Sequence, residues 1–420
     1  MTVPVAEDRN ASFGWWKAAD AEARRALVAA SLGWMLDSFD VMLYALVLAA
    51  LMLDLGMAKD IAGLLGSVTL VASAAGGMIF GVVADRWGRT RALMWSILIY
   101  SVFTGACGLA QNVWQLAVFR VLLGLGMGGE WASGAALVSE TWPAEHRGKA
   151  LGFMQSSWAI GYAAAALVTW TVMPLWGWRA VFFVGVLPAL FTLWVRREVR
   201  EPKIWTESRT ALPSGASARF ADIFKGQMAS LTLAVTIMNA FTMFAWWGFN
   251  LWIPAYLSLP VSEGGVGLST SVMSGLVITM QVGMWFGYVT FGFISDLLGR
   301  KRTYLIYLTT AAALVFLYGT TKNPVALLVL GPFVAFFGTG YFSGFGAVTA
   351  EIYPTRIRAT AQGFTYNIGR VASAVAPFAV GSLAQTHGFG GALSVASLAF
   401  LLAAVSWVWI PETKGRELAL

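Results

Sequence analysis

The feature that most constrains the fold of this chain is an internal repeat. Two motifs recur at one constant displacement of 211 positions, the spacing between Gly81 and Gly292. The first motif holds Gly81, Asp85, Gly88 and Arg89, and its second copy holds Gly292, Asp296, Gly299 and Arg300. The second motif holds Glu140, Pro143 and Arg147, and its second copy holds Glu351, Pro354 and Arg358. Because a single displacement relates both motifs, the sequence predicts two homologous halves.

The composition places both halves in a membrane. Hydrophobic residues make up 58% of the chain and charged residues 12%, whereas a soluble domain carries about 25% charged residues. Apolar runs of about 20 residues can each cross a bilayer as a helix. They predict an all-α polytopic membrane protein with twelve helices, near residues 27–50, 61–84, 91–110, 113–141, 148–173, 178–195, 228–258, 272–297, 303–320, 323–350, 358–386 and 389–410.

The basic residues predict the orientation of these helices. All but five of the 28 lysines and arginines fall on the side of both termini, and such an excess of positive charge marks cytoplasmic loops. We therefore expect both termini in the cytoplasm. The chain then divides into an N-terminal segment 1–26, a six-helix bundle 27–196, a charged cytoplasmic linker 197–227, a second six-helix bundle 228–410 and a cytoplasmic tail 411–420.

Several other classes of protein are disfavoured. The orientation of the helices in the membrane explains the net charge of +7. The sequence contains no basic face with interleaved aromatic residues of the kind that binds nucleic acid. The sequence contains one cysteine, Cys107, and two histidines. It therefore predicts neither a disulfide framework nor a metal site. No glycine-rich nucleotide loop follows a strand, and no nucleophile is accompanied by a base. We therefore expect no enzymatic activity and no cofactor.

The repeated motifs lie between predicted helices, on the side of the termini. Glycines allow helix ends to approach closely there, and half-exposed ion pairs are cheap to break. These properties suit a conformational latch better than a loop that only enforces topology. We therefore expect a gate built from Gly81, Asp85, Gly88, Arg89, Glu140, Arg147, Asp296, Gly299, Arg300, Glu351 and Arg358.

Both repeated motifs resemble those of the major facilitator superfamily. The C-terminal run from Pro411 to Arg416 is also similar to the ending of sugar-porter members of that family. The resemblance covers nearly the whole chain. It implies two pseudo-symmetric bundles of six helices around a central cavity, which opens alternately to the two sides of the membrane.

A narrower resemblance lies in the first predicted helix. Trp34, Asp37, Phe39 and Asp40 are similar to the W-x-x-D-x-F-D pattern of proton-coupled carriers for sialic acid, aromatic acids and lactate. The fourth helix agrees, with an arginine followed by a glycine-rich run that ends in a glutamate. The seventh helix lacks the histidine, glutamine and aspartate of lactate permeases. The resemblance therefore implies a carboxylate other than lactate.

Charged groups inside a membrane helix are costly and are usually functional. Asp37, Asp40 and Tyr44 share one face of the first helix, because they are spaced by three and four residues. Two close carboxylates favour binding of a proton, so we expect Asp37 and Asp40 to couple transport to protons. The alternative is a structural pair neutralised by Arg120 of the fourth helix. Glu130 is either a further proton site or a hydrogen-bonding residue between helices.

Arg370 is the strongest candidate for binding an anion. It lies twelve residues beyond Arg358, about 18 Å into the eleventh helix, and no acidic residue of the second half shares its depth. A guanidinium holds a carboxylate by two parallel hydrogen bonds. We therefore expect Arg370 to bind a substrate carboxylate, with Asn367 on the same face. The alternative is charge balance against the acids of the first half.

Other polar and aromatic residues inside the predicted helices are weaker candidates for contact with a substrate. A buried amide needs a hydrogen-bond partner, and a tryptophan deep inside a helix can stack on a flat molecule. These candidates are Arg120, Tyr44, Gln155, Asn239, Trp246, Asn250, Gln281, Trp285 and Tyr341.

We therefore expect a monomeric secondary transporter of the inner membrane that imports a small organic anion together with protons. One alternative is a sugar or polyol symporter, which the C-terminal run favours and a central arginine disfavours. A second is a proton-driven exporter of drugs or metabolites. A third is a receptor that binds a solute without moving it, although a tail of about ten residues after the last helix leaves little room for an output segment.

Overall fold

The computed structural model describes residues 16, 19–142, 144–201, 223–353 and 355–414. Every regular element in this part of the chain is a helix. Nine of its stretches are long and apolar enough to cross a membrane, and two of these, 149–195 and 361–406, have 47 and 46 residues. Each of the two is long enough for two crossings. With the shorter helix Arg89–Cys107, these described stretches account for the twelve predicted spans.

The first half contains α1 (Ala21–Asp54), α2 (Lys59–Trp87), α3 (Arg89–Cys107), α4 (Val113–Thr141), α5 (Ala144–Val184) and α6 (Pro188–Glu198). Helix α5 holds the fifth span and the start of the sixth, and the chain turns between them at Gly177. There φ is +74°, a conformation that costs little only for glycine. The predicted linker overlaps residues 202–222, which lie outside the described residues.

The second half contains α7 (Gln227–Asn250), α8 (Ile253–Ser258), α9 (Thr270–Leu298), α10 (Arg300–Thr320), α11 (Pro324–Thr339), α12 (Phe345–Ile352), α13 (Thr355–Ser373) and α14 (Val375–Ser406). The continuous helices expected at 228–258, 323–350 and 358–386 are each interrupted. A 3₁₀ turn at Gly340–Gly344 joins α11 to α12. The carbonyl of Tyr341 in that turn accepts a hydrogen bond from the Tyr304 hydroxyl at 2.8 Å, so a side chain satisfies a backbone group in the apolar interior.

The two halves repeat one packing pattern. Helix α1 packs against α5 as α7 packs against α14, and α2 packs against α4 as α9 packs against α11. Between the halves, α5 packs against α9 and α2 packs against α14, which are equivalent pairs under the duplication. The repeat in the sequence therefore extends to the packing of the helices.

Candidate functional site

A cavity lies between the two halves. Side chains of the described residues line an open cavity whose empty volume, together with the solvent space at its mouth, is about 450 Å³. Three of the lining residues come from the first half and seven from the second: Trp34, Gln155 and Trp158, then Met243, Trp246, Trp247, Tyr288, Phe342, Tyr366 and Arg370. Three candidates from the sequence, Gln155, Trp246 and Arg370, are in this set.

Arg370 brings the only positive charge to the cavity wall among the described side chains. It lies fifteen residues beyond Thr355, where α13 begins, which is about 22 Å along the helix. Only 6% of its surface is exposed. No carboxylate in the described part of the chain forms an ion pair with its guanidinium within 4.0 Å. The cavity thus contains a buried cation that lacks a direct partner from the protein.

Two carboxylates of the first half lie in the electrostatic field of Arg370. Asp37 on α1 and Glu130 on α4 interact through their charges with Arg370 and with each other. Both side chains are buried, and none of their four oxygens has a hydrogen-bond partner among the described residues. A cation of one half therefore interacts electrostatically with two carboxyl groups of the other half.

Glycines bring Glu130 close to its neighbouring helices. A side chain at Gly33 of α1 would collide with Oε1 of Glu130, and one at Gly126 would lie 2.6 Å from the backbone nitrogen of Tyr100. The close helix packing expected of the glycine-rich run is therefore present. The hydrogen bond between helices that was the alternative role of Glu130 is not formed in this conformation, because its carboxylate has no described donor.

Arg120 does not form the expected pair with Asp37 or Asp40. Its guanidinium lies over the ring of Tyr44, 3.9 Å from the centroid, in a cation–π contact, and no described carboxylate lies within 4.0 Å. The Tyr44 hydroxyl donates to the carbonyl of Ala62 at 2.8 Å. Neither residue lines the cavity with Arg370. Asp40 is buried beside the side chain of Thr104, and it too lies outside the set of lining residues.

Four tryptophans form a continuous aromatic wall, which the sequence indicated only in part. The ring of Trp158 lies 4.6 Å from that of Trp34, 5.7 Å from Trp246 and 6.4 Å from Trp247 between centroids. The wall joins the halves, because Trp34 and Trp158 belong to the first half and the others to the second. The sequence could have indicated Trp158 as a lining residue, because it follows Gln155 by three residues and therefore lies on the same face of α5.

A stacked aromatic pair covers the cavity on the side of the termini. Trp131 of α4 and Tyr366 of α13 have ring centroids 4.5 Å apart and planes inclined by 7°. The indole N–H of Trp131 donates to Oε1 of Gln155 at 3.3 Å. Tyr366 lies one helical turn before Arg370, so this pair separates the cation from the end of the bundle that carries the termini.

The remaining candidates lie away from the cavity. Four of them donate a hydrogen bond to a backbone carbonyl: Asn250 to Trp246, Gln281 to Val277, Tyr341 to Thr242 and Asn367 to Gly363. Asn239 is buried where Gly369 packs against it. Trp285 is partly exposed and contacts Phe286 edge to face. The structure therefore brings none of these six beside Arg370 in the cavity lining.

The halves are joined at the end of the bundle opposite the termini. Nζ of Lys59 lies 3.1 Å from Oε2 of Glu263 and donates to its backbone carbonyl at 3.0 Å. The backbone N–H of Phe378 donates to the Ser67 hydroxyl at 3.2 Å. Of the described residues, every pair that forms a hydrogen bond between the halves lies toward this end. The cavity is thus closed on the far side.

Replacing Lys59 by glutamine is expected to loosen this closed end. The Lys59 side chain is 9% exposed and that of Glu263 is 53% exposed, so the pair contributes about 1 kcal/mol, roughly a fivefold change in the population of the closed state. The measurement is the rate at which an impermeant maleimide labels Ser67→Cys. Arg179→Gln is the matched control, because Arg179 pairs with Asp54 within the first half. Equal labelling rates in both variants would contradict the prediction.

The predicted gate contains two equivalent ion pairs. Arg89 binds Glu140, with Nη2 and Oε1 2.9 Å apart, and Arg300 binds Glu351, with Nη2 and Oε1 3.0 Å apart. Arg300 also pairs with Asp296 of its own motif. The displacement of 211 positions therefore relates the partners as well as the arginines. The side chains of Asp85, Arg147 and Arg358 lie outside the described residues.

Two further glutamates, which no local sequence pattern indicated, accept hydrogen bonds from the backbone of the gate motifs. Glu201 accepts hydrogen bonds from the backbone N–H groups of Thr90 and Arg91 at 3.2 and 3.3 Å. Glu412 accepts from those of Arg300 and Lys301 at 2.8 and 3.2 Å. A carboxylate at a helix N-terminus is stabilised by the unpaired N–H groups there. The signal was in the sequence, because Glu201 and Glu412 are also 211 positions apart.

The electrostatics of Glu412 agree with this role. Partial burial acts to raise its pKa, but the backbone N–H groups of Lys414, Arg300, Lys301 and Thr413 outweigh burial and hold the pKa below its usual range. The stabilisation from this contact is therefore present above the pKa of the unfolded chain. It is lost as the pH falls through the pKa of the folded state.

Twelve spans in two equivalent halves, a closed end, and a cavity with a central cation between the halves are the features of a membrane transporter built from two homologous halves. The sequence matches the Major Facilitator Superfamily over residues 30–280 and 258–419. The chain belongs to this family, as its motifs predicted. Because the family consists of membrane transporters, the expectation that the chain is not an enzyme is also confirmed.

Two members of the family are similar to this chain in sequence, and one solved structure is similar to it in fold. The chain is 32% identical to the sialic acid transporter NanX of Escherichia coli, over 92% of this chain and 93% of the relative. It is 32% identical to the cis,cis-muconate transport protein of Acinetobacter baylyi, over 90% and 92%. A partially occluded, inward-open structure of the xylose transporter XylE from E. coli superposes with a TM-score of 0.78, at 19% identity, over 95% of this chain and 100% of that one. At that identity the likeness concerns the fold alone.

Proposed function

We propose that this protein imports a small organic anion, a mono- or aromatic carboxylate, by symport with protons. The single observation that carries the proposal is Arg370, a buried guanidinium in the cavity wall without an ion-pair partner among the described carboxylates. Leaving a charge buried and uncompensated is costly. A carboxylate substrate would compensate it with two charge-assisted hydrogen bonds.

Proton coupling is supported by the surroundings of Arg370. Asp37 and Glu130 compete with an incoming anion for the field of the same guanidinium. Protonation of these acids removes that competition, so the anion and the proton favour each other's binding. Since the described residues offer their oxygens no hydrogen-bond donor, the neutral acids also cost less to bury than the ionised ones.

Alternating access completes the proposed mechanism. With both termini in the cytoplasm and the protein in the inner membrane, the end joined by Lys59 and Glu263 faces outward, and the conformation is inward-facing and partly covered by Trp131 and Tyr366. Rocking of the halves would exchange the outer contacts for those of the gate motifs. A monomer contains the whole pathway, and the proton gradient supplies the driving force without a cofactor. The relatives named for sialic acid and cis,cis-muconate carry anions, which favours this reading over sugar transport.

The test is uptake of radiolabelled carboxylates by proteoliposomes that contain the purified protein, under an imposed inward proton gradient. We expect at least one acid to accumulate above its external concentration, and a protonophore to abolish the accumulation. Protein-free liposomes are the control for passive entry of the neutral acid. Accumulation that persists with the protonophore, or uptake of neutral sugars in place of acids, would reject the proposal.

A further inference from the structure

The charges of the cavity restrict the charge of its occupant. Arg370 is the only cation among the described residues that line the space, because Arg120 lies over Tyr44 in the first half. Asp37 and Glu130, whose charges interact with that of Arg370, are potential negative charges. One carboxylate of a substrate would meet the guanidinium, whereas a second would find no cation and would approach those acids. The cavity is therefore suited to a single negative charge.

The walls of the cavity restrict the shape of its occupant. Trp34, Trp158, Trp246 and Trp247 make one continuous wall from both halves. Tyr366 closes the space on the side of the termini, and its ring is parallel to that of Trp131. Indole and phenol faces bind flat rings better than puckered ones, because stacking and edge-to-face contacts need a planar partner. These walls favour a planar ring.

Three of these tryptophans also restrict the polar groups of the occupant. The indole N–H groups of Trp34, Trp158 and Trp246 are buried and have no hydrogen-bond partner among the described residues. An indole N–H can only donate, and a buried donor without an acceptor carries a free-energy penalty. A ring atom that accepts, such as a pyridine nitrogen or a lactone oxygen, would relieve one of these penalties as the halves close around the substrate.

We propose that the substrate is a planar cyclic monocarboxylate whose ring carries a hydrogen-bond acceptor. This proposal rests on the proposed function, since it assumes that the Arg370 cavity is the transport site. It goes further by excluding dicarboxylates, including the kind of anion for which the relative from Acinetobacter is named, and by excluding carboxylates on puckered rings.

The experiment measures the thermal stabilisation of the purified full-length protein by matched acids, because a ligand that binds only the folded state raises Tm by an amount that grows with the logarithm of its concentration above Kd. Benzoate against cyclohexanecarboxylate varies only planarity. Pyridine-3-carboxylate against benzoate adds a ring acceptor. Terephthalate against its monomethyl ester varies the charge at nearly constant length. Affinities are derived from the dependence of Tm on ligand concentration.

We expect pyridine-3-carboxylate to bind about two- to tenfold more tightly than benzoate, the range of one hydrogen bond. Cyclohexanecarboxylate should bind about tenfold more weakly than benzoate. The monomethyl ester should bind and terephthalate should not. The proposal is overturned if terephthalate binds as well as its monoester, if both are rejected, if planarity makes no difference, or if none of the acids binds.

Variants of Trp158 test whether the aromatic wall is the origin of this ligand selectivity. Trp158→Phe keeps an aromatic wall but removes the N–H, so the preference for pyridine-3-carboxylate over benzoate, compared within this variant, should disappear. Trp158→Leu should remove the discrimination between planar and puckered rings as well. Trp170→Leu is the matched control, because Trp170 lies on the same helix and is 42% exposed. An unchanged selectivity profile in Trp158→Leu would reject the assignment of the wall.

The outcomes separate this proposal from the proposed function. If the acids bind with the expected selectivity but no proton gradient drives their uptake, the selectivity of the site stands and proton symport fails. If acids are taken up under the gradient but dicarboxylates bind as well as monocarboxylates, symport stands and this inference fails.

Discussion

Arg370→Ala is expected to abolish gradient-driven uptake of the carboxylate substrate. In the wild type only 6% of the surface of Arg370 is exposed, and no described carboxylate forms an ion pair with its guanidinium. Removing one partner of a buried, hydrogen-bonded charge pair costs about 2–5 kcal/mol, or roughly 30- to several-thousandfold in affinity. The substrate carboxylate would then be buried beside Asp37 and Glu130 without any cation.

The measurements are carboxylate uptake by proteoliposomes and the thermal stabilisation by benzoate, each in wild type and variant. Arg370→Lys separates charge from geometry, because lysine keeps the charge but loses the two-pronged fork, and it should retain only part of the affinity. Arg197→Ala is the control, since Arg197 lies exposed at the end of α6. If Arg370→Ala transports as well as wild type, Arg370 is a structural charge and the anion proposal fails.

Asp37→Asn is expected to uncouple the anion from the proton. Asparagine is nearly isosteric with the neutral acid, so the variant should still bind the anion at Arg370, but it can no longer gain or lose a proton. A gradient of one pH unit is worth about 1.4 kcal/mol per proton, or a tenfold accumulation for each coupled proton. Wild type should accumulate substrate accordingly. The variant should equilibrate it across the membrane with an accumulation ratio near one.

Two assays distinguish uncoupling from loss of the fold. Uptake under an imposed proton gradient should fail in Asp37→Asn, whereas exchange of labelled for unlabelled substrate without a gradient should persist. Asp54→Asn is the matched control on the same helix, because Asp54 is exposed and pairs with Arg179. Gradient-driven accumulation at the wild-type level in Asp37→Asn would move the coupling site to Glu130 or Asp40.

The ion pairs of the repeated motifs follow the duplication, which acts on partners as well as on single residues. Arg89 with Glu140 and Arg300 with Glu351 share one displacement, so the same contact arises twice. Glu201 and Glu412 follow the same rule. Their capping role was not predicted, because an isolated glutamate in a loop forms no local sequence pattern. It becomes visible only when the structure shows which helix ends the two glutamates cap.

The partners of buried charges were not predictable. Neutralisation of the aspartates by Arg120 was the alternative to proton coupling, and Arg120 instead lies over Tyr44. Spacing along one helix fixes which residues share a face, but the rotation of that helix against its neighbours decides what the face meets. For the same reason Asn367, three residues before Arg370, uses its amide on the carbonyl of Gly363 and does not line the cavity.

Hydrophobicity, helix periodicity and the repeated motifs can be read along the chain, and they were enough to predict the membrane class, the twelve spans and the duplication. The packing of the helices, by contrast, places Trp158 at the centre of a wall built from both halves and brings Asp37 and Glu130 into the electrostatic field of Arg370. Those relations join residues that are far apart in the chain. They depend on how the two halves pack together, which no local pattern encodes.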